Sequence, residues 1–469
     1  MSAAETGASD VIVIGGGVSG LAAAFGLQQR GASVEVLEAK GRAGGVIGTR
    51  RRDGALYEAG PNSALDTSPL INELLDALAL RGERADASAV AATRFIVRGG
   101  QLVALPMSPG AFLTTPAFSL GAKLRLLREP FIAPAPPDAE ESIAAFVRRR
   151  LGAEFLDYAI DPFVSGVYAG DPERISVPAA FPRLHALEQK HGSLIKGQIK
   201  GARERRQSAE KAKNTAGSFS FRGGMQTLTD ALARAVDRVA THAHVQRIER
   251  GADGLWTATA VREGEALVRR AKALVLAVPA YQAARLVREL APHAAQGLAA
   301  VDYAAVASVA SAYRRADVAH SLAGFGFLVP KIEQRRILGS LFSSSMFEGR
   351  AAPGMVLFTS FIGGLRNPAL LAESDDTLAR FLHAELAALV GARNEPQWLE
   401  ITRWTHAIPQ YNLGHRERLR PLDDAERALP GLFFCANYRG GISVGDCIKS
   451  AHATAEAVAR YARATPAPV

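Results

Sequence analysis

The sequence predicts an α/β (α+β) fold in which one domain is assembled from segments far apart in the chain. Three observations predict it. Residues 10–38 read as apolar strand, glycine turn, helix, second strand and terminal acid; Ala273 to Val278 is an unbroken apolar run in mid-chain; and Gly431 to Asn437 is a strand that leads into a glycine loop and a last helix. Strands covered on both faces read as continuous apolar runs, so pieces of one domain lie at the start, middle and end of the chain.

The first segment is the most specific. Gly15-x-Gly17-x-x-Gly20 supplies a tight turn, a bare backbone that can approach a pyrophosphate, and close packing of helix on strand. Gly16, Val18 and Ser19 complete the loop and open the helix, whose free N–H groups favour phosphate. Glu38 ends the second strand at the spacing of an acid that bonds a ribose hydroxyl, and its charge would repel the extra phosphate of NADP. Together these residues predict a Rossmann-like unit. Two further glycine-rich stretches, Ala39 to Gly45 and Tyr57 to Ser63, follow where a nicotinamide-only domain would continue to its next helix and strand. They suggest a cofactor buried along its length, as FAD is.

Beyond this unit, residues 66–82 read as a helix capped by Asp66 or Ser68, and residues 94–106 as β-rich. Residues 107–213 are mainly helical, interrupted by a Pro-Ala-Pro-Pro loop at 134–137. Strand returns at 218–221, a helix ends near Val239, and a meander covers 245–268 with Asp253-Gly254 as its turn. A strand-rich block at 303–363 and a helix at 375–391 precede the last strand and helix, and no internal repeat is present.

Composition narrows the function classes. The 469 residues are 48% hydrophobic, enough for two or three domains, and no run reaches the length of a membrane span. Cys435 and Cys447 are too few for a disulfide framework, and no metal-ligand spacing accompanies them, so no metal is assigned and a reducing compartment is expected. Nothing before Asp10 resembles a signal peptide. Within the net charge of +9, residues 183–213 carry nine basic residues against three acids, a surface for anionic lipid, an acidic ligand or solvent. No aromatic residues interleave with these charges and no binding module is present, which argues against nucleic acid.

The segments GGGVSGL, EAKGRAGG, YEAGPNS, FRGGMQTL and the C-terminal glycine loop resemble the flavin-dependent amine oxidase superfamily. Within it, Gly166 to Asp171, Gly324 to Pro330, Ile408 to His415 and Asp446 to Ile448 resemble the oxygen-dependent, FAD-containing protoporphyrinogen oxidases over essentially the whole chain. The resemblance implies an FAD-binding domain from residues 1–68, 217–297 and 405–469. It further implies a mixed-sheet substrate domain from 69–104 and 298–404, and a helical membrane-associating domain from 105–216. It implies that FAD meets Gly15 to Gly20 through its pyrophosphate, Glu38 and Ala39 at the adenosine end, the Arg42 loop, and Val46 with Gly60, Pro61, Asn62 and Ser63 nearer the flavin. Val245 matches a backbone contact to adenine, Trp404 a ring close to the flavin, and Ile442, Ser443 and Val444 the loop and helix start along the isoalloxazine.

The implied substrate is a porphyrinogen, a wide apolar macrocycle with carboxylates on one edge, which needs flat hydrophobic walls and a placed cation. Arg94 matches the propionate-binding arginine, Phe325, Leu328 and Phe361 match walls of the pyrrole rings, Gly166 matches a carbonyl facing the macrocycle, and Ile408 matches an apolar contact beside the flavin. No acid or base stands out; orientation in a dry site would suffice, with the electron chemistry in the cofactor. The histidines, among them His415, read as structural or exposed. The implied reaction passes hydride from a bridge carbon to flavin N5, with molecular oxygen as final acceptor and hydrogen peroxide released, in successive rounds that end at protoporphyrin IX in heme biosynthesis.

Coproporphyrinogen III, with four propionates, is the alternative substrate. It would call for more cations near Arg94, and the sequence leaves open whether Arg98 is one. An amine oxidase, a carotenoid desaturase, or a flavin-bearing membrane protein without turnover are the remaining alternatives. Ala436 and Gly440-Gly441-Ile442 depart slightly from the family pattern at the C-terminal loop. Leu120, Leu124, Leu127 and Phe131 fall at helical spacing among Lys123, Arg125 and Arg128, a basic amphipathic face that could lie on lipid. The resemblance therefore implies a cytoplasmic protein held peripherally at the inner face of the cell membrane, with a homodimer open.

Overall fold

The structure, a computed structural model, describes residues 8–200 and 216–465. Two seven-stranded mixed sheets organise it. The first runs Arg238–Ala240, Val34–Leu37, Ser9–Ile14, Glu265–Leu276, Trp256–Arg262, His244–Arg250, with Leu432–Phe434 also pairing with Glu265–Leu276. Ser9–Ile14 pairs in parallel with Val34–Leu37 on one side and with residues 271–276 on the other. The N-terminal, middle and C-terminal strands thus share one sheet, as their apolar runs predict.

Helix Val18–Gln28 and the last helix, Val444–Ala464, cover this sheet. Ile448, Ala451, Ala455, Val458 and Ala459 are buried at helical spacing. A Cβ on Gly26 would stand 3.1 Å from that of Ala455, so the two helices meet where their side chains are smallest.

The second sheet runs Trp398–Pro409, Tyr303–Arg314, Met355–Gly363, Ile337–Leu341, Gly326–Leu328, Phe95–Arg98, Gln101–Ala104. One face packs on helix Asp375–Val390, where Leu378, Leu382, Leu386 and Leu389 meet Val97, Val309, Phe327, Phe358 and Ile362. Side chains alternate along a strand, so the intervening residues face the other way.

Several boundaries differ from the sequence reading. The helix read over 66–82 is Pro69–Ala77, starting after Ser68, and that read to Val239 is Gln226–Ala235 because residues 238–240 form an edge strand. Glu263-Gly264, both at positive φ, closes a second hairpin that the sequence reading passed over. Residues 109–200 are a series of short helices; the basic run at 201–213 lies outside the described residues. No helix of the described residues is long and apolar enough to cross a membrane.

Candidate active site

The glycine loop leaves Ser9–Ile14 and turns into helix Val18–Gln28. Gly15 has φ +108°, and a Cβ there would lie 2.6 Å from the Ala277 carbonyl oxygen. A Cβ on Gly20 would lie 2.0 Å from the Gly15 carbonyl oxygen, so helix and turn touch through bare backbone. Gly17 differs: its nearest neighbour would be the Gly45 Cα, 4.0 Å away. Gly15 and Gly20 are required by the protein's own packing; Gly17 leaves open space where a phosphate would rest.

Glu38 is buried and accepts from the Gly16 N–H at 2.7 Å and the Lys40 N–H at 2.8 Å. Ala39 is exposed beside it. Arg42 donates to the carbonyls of Ala43 (2.8 Å) and Ile47 (2.6 Å), folding the second glycine loop on itself. Val46 is 43% exposed, and its carbonyl oxygen would be 2.1 Å from a Cβ on Gly60. Asn62 donates to the Gly60 carbonyl at 3.2 Å, and Pro61 and Ser63 are half-buried alongside. Trp404 Nε1 donates to the Ala59 carbonyl at 2.7 Å, which brings that ring against the 57–63 loop. Val245 stands on an outer strand of the first sheet, its carbonyl taking a bond from Arg285 at 2.7 Å.

Ser443 caps the last helix, accepting from Asp446 N–H at 3.2 Å, and Val444 opens it. Tyr411 positions the preceding loop: its hydroxyl donates to the Asn437 carbonyl at 2.8 Å and accepts from Gly441 N–H at 2.9 Å. His415 stacks on Tyr411 with centroids 4.1 Å apart and reaches the Tyr438 carbonyl at 2.9 Å. Burial pushes its pKa down to about 4, so the ring is neutral and Nε2–H donates. The unfolded imidazole titrates near 6.5. Stability contributed here is therefore present above about pH 6.5 and is lost as pH falls toward 4. His415→Gln should flatten the fall in urea midpoint between about pH 7 and pH 5 relative to the wild type; identical profiles would refute this role.

The remaining residues gather on the free face of the second sheet. Register places Ile96 beside Leu328, Leu328 opposite Gly339, Gly339 opposite Phe361, and Phe361 opposite Ser308. Leu328 and Phe361 therefore flank a position without a side chain, and Leu328 leans over it: a Cβ on Gly339 would lie 3.1 Å from Leu328 Cδ2. Gly339 was missed in the sequence reading, although an isolated glycine inside a strand is a signal of close approach. Gly166, exposed on helix Asp161–Tyr168, sits against this wall: a Cβ there would come within 2.6 Å of Leu328 Cδ2. Ile408 and Phe361 both pack on the cluster of Ala169, Ala304, Val306 and Leu338, and Ile408 and Ile442 of the C-terminal loop both pack on the cluster that holds Tyr168 and Tyr411.

Arg94, just before Phe95–Arg98, holds its guanidinium 5.2 Å from the Phe325 ring centroid. It is largely buried, burial lowers its pKa, and its side chain has no carboxylate or hydrogen-bond partner among the described residues. Arg98, at the far end of the strand, is engaged: it pairs with Glu154 at 2.8 Å, donates to the Ala117 carbonyl at 2.7 Å and covers the Tyr158 ring at 4.1 Å.

The sequence and the fold both have known relatives. The sequence profile described as flavin containing amine oxidoreductase matches residues 18–459. The mitochondrial protoporphyrinogen oxidase of Nicotiana tabacum is 35% identical, over 97% of this chain and 96% of its own. The coproporphyrinogen III oxidase of Bacillus subtilis is 27% identical, over 97% and 99%. Cyclohexylamine oxidase of Brevibacterium oxydans shares the fold at a TM-score of 0.69 and 19% identity, over 97% of this chain and 99% of that one. The cofactor implied is FAD, and the residues fit it: Gly17 leaves open space at the helix start, Glu38 is buried beside it, and Trp404 and Tyr411 each fasten a loop. The chain belongs to the flavin containing amine oxidoreductase family and is an FAD-dependent oxidoreductase.

Proposed function

We propose that this chain oxidises protoporphyrinogen IX to protoporphyrin IX, with molecular oxygen as acceptor and hydrogen peroxide as by-product. The observation that carries this reading is Arg94, a half-buried cation with no hydrogen-bond or ion-pair partner for its side chain among the described residues, beside an apolar wall. Such a cation wants a carboxylate from a ligand, and guanidinium offers two parallel bonds to one. The wall from Leu328 to Phe361 suits a macrocycle face, and Gly166 lies exposed against Leu328 at its side. FAD, when bound, accepts the two electrons of each round as hydride. The protein orients the macrocycle, excludes water and lets the ring nitrogens release their own protons.

Arg98 favours the substrate with two propionates over that with four. Its charge is already met by Glu154, so it offers a second carboxylate little. The decisive test is aerobic turnover of each porphyrinogen by the purified flavoprotein, following porphyrin fluorescence and peroxide together. We expect one peroxide per two electrons removed and a higher kcat/KM for protoporphyrinogen. Oxidation no faster than a protein-free control would defeat the reading, and preference for coproporphyrinogen would reassign the substrate.

In this reading residues 1–68, 217–297 and 405–469 serve FAD, 69–104 and 298–404 serve the substrate, and 105–216 meet the membrane. The last assignment is supported by an exposed apolar ridge: Leu113, Leu120, Leu124, Leu127 and Phe131 are 55–87% exposed. Lys123 and Arg125 contribute less to it than the spacing suggested, because they donate to carbonyls at 113, 115, 149 and 150. The surface is thus an apolar ridge with Arg128 nearby, suited to peripheral contact at the inner face of the cell membrane.

A further inference from the structure

Arg366 lies three residues beyond the strand Met355–Gly363, which carries Phe361. Its Nη1 donates to the Val329 carbonyl at 2.7 Å, and its Nη2 to Ser165 Oγ at 2.6 Å and to Asp161 Oδ2 at 3.0 Å. Val329 adjoins Leu328, and Ser165 adjoins Gly166. One guanidinium therefore bonds the neighbour of each of two wall residues, while hanging from the strand of the third. Asp161 Oδ2 also accepts from Lys331 N–H at 2.6 Å, and Leu365 N–H donates to the Ala169 carbonyl at 2.8 Å, so the same helix is fastened at both ends.

The helix needs this fastening. Residues Leu156–Ile160 form a π-helical turn that joins it to the preceding helix, and such a turn resets the direction of the helix after it. Asp161 sits at that seam. Ion pair and seam are nearly dry, with side chains 9% and 7% exposed; burial raises the Asp161 pKa and lowers that of Arg366. The pair is neutral overall, so it fixes the wall without competing with Arg94 for a carboxylate.

We propose that Arg366, with Asp161, is a positioning residue that holds the Gly166 helix against Leu328 of the Leu328–Phe361 wall, and so sets affinity for the macrocycle. This rests on the porphyrinogen reading. Two variants test it: Arg366→Lys, which keeps charge but loses the planar fork, and the double variant Arg366→Met with Asp161→Asn, which leaves no lone buried charge.

In both we expect KM for protoporphyrinogen and Kd for protoporphyrin to rise about tenfold, equivalent to about 1.4 kcal/mol. FAD content and kcat at saturation should stay within about twofold of the wild type, because nothing in the FAD cradle is touched. Unchanged KM and Kd in both variants overturn the proposal. So does a fall in kcat and thermal stability without a change in Kd, which would mark a merely structural pair. Wild-type protein run alongside separates the two ideas: if it neither turns over nor binds the macrocycle, the functional reading itself has failed and the proposal falls with it.

Discussion

Replacing Arg94 by methionine should lower kcat/KM for protoporphyrinogen by roughly 30- to 1000-fold while leaving FAD bound and the melting temperature nearly unchanged. A charge-assisted bidentate pair contributes about 2–4 kcal/mol when one partner is removed from a desolvated site. Arg94 has no ion-pair or hydrogen-bond partner for its side chain among the described residues, so its removal strands no charge there. Methionine keeps most of the volume beside Phe325. Arg94→Lys should recover only part of the loss, since a point charge cannot copy the fork. Steady-state kinetics with a thermal melt would decide it. A kcat/KM within about threefold of the wild type would remove Arg94 from the binding site.

The glycine loop offers the second large effect, and two positions separate fold from ligand. Gly20→Ala puts a methyl 2.0 Å from the Gly15 carbonyl oxygen, which neither backbone can yield without breaking the turn. Purified protein should be colourless and poorly folded. Gly17→Ala places its methyl in open space at a φ of −72°, which alanine adopts without strain. That protein should fold normally yet bind FAD about 100-fold more weakly, about 2.7 kcal/mol, because the methyl occupies the approach of the pyrophosphate. Flavin absorbance per protein and a titration of apoprotein with FAD measure both. Full flavin content in Gly17→Ala would move the phosphates elsewhere.

Local pattern carried much of this architecture. The apolar runs at 10–14, 273–278 and 432–434 identified strands that lie in one sheet, because strands covered on both faces need no alternation. The glycine spacing and Glu38 likewise act within one βαβ unit, and a local signal suffices for a local device. What escaped depended on distant partners. Arg94 and Arg98 flank the same short strand and look alike in sequence; Glu154, 56 residues beyond Arg98, is what distinguishes them. Arg366 and Asp161 are 205 residues apart, so no local pattern pairs them. Helix ends were misplaced where a neighbouring strand claimed the residues, as at 238–240.

The first sheet also dictates when the protein can become complete. Ser9–Ile14 needs residues 271–276 as its neighbour, Leu432–Phe434 joins the same strand, and Val444–Ala464 seals the layer over Val18–Gln28. During synthesis the N-terminal strand therefore meets its Val34–Leu37 neighbour early and its 271–276 neighbour only much later. Until that neighbour arrives the strand carries an exposed apolar edge, and slow closure is the physical cost of such non-local pairing. A chain stopped before Val444–Ala464 would lack the helix that covers its first core, so a segment far along the chain decides whether the N-terminal unit is buried at all.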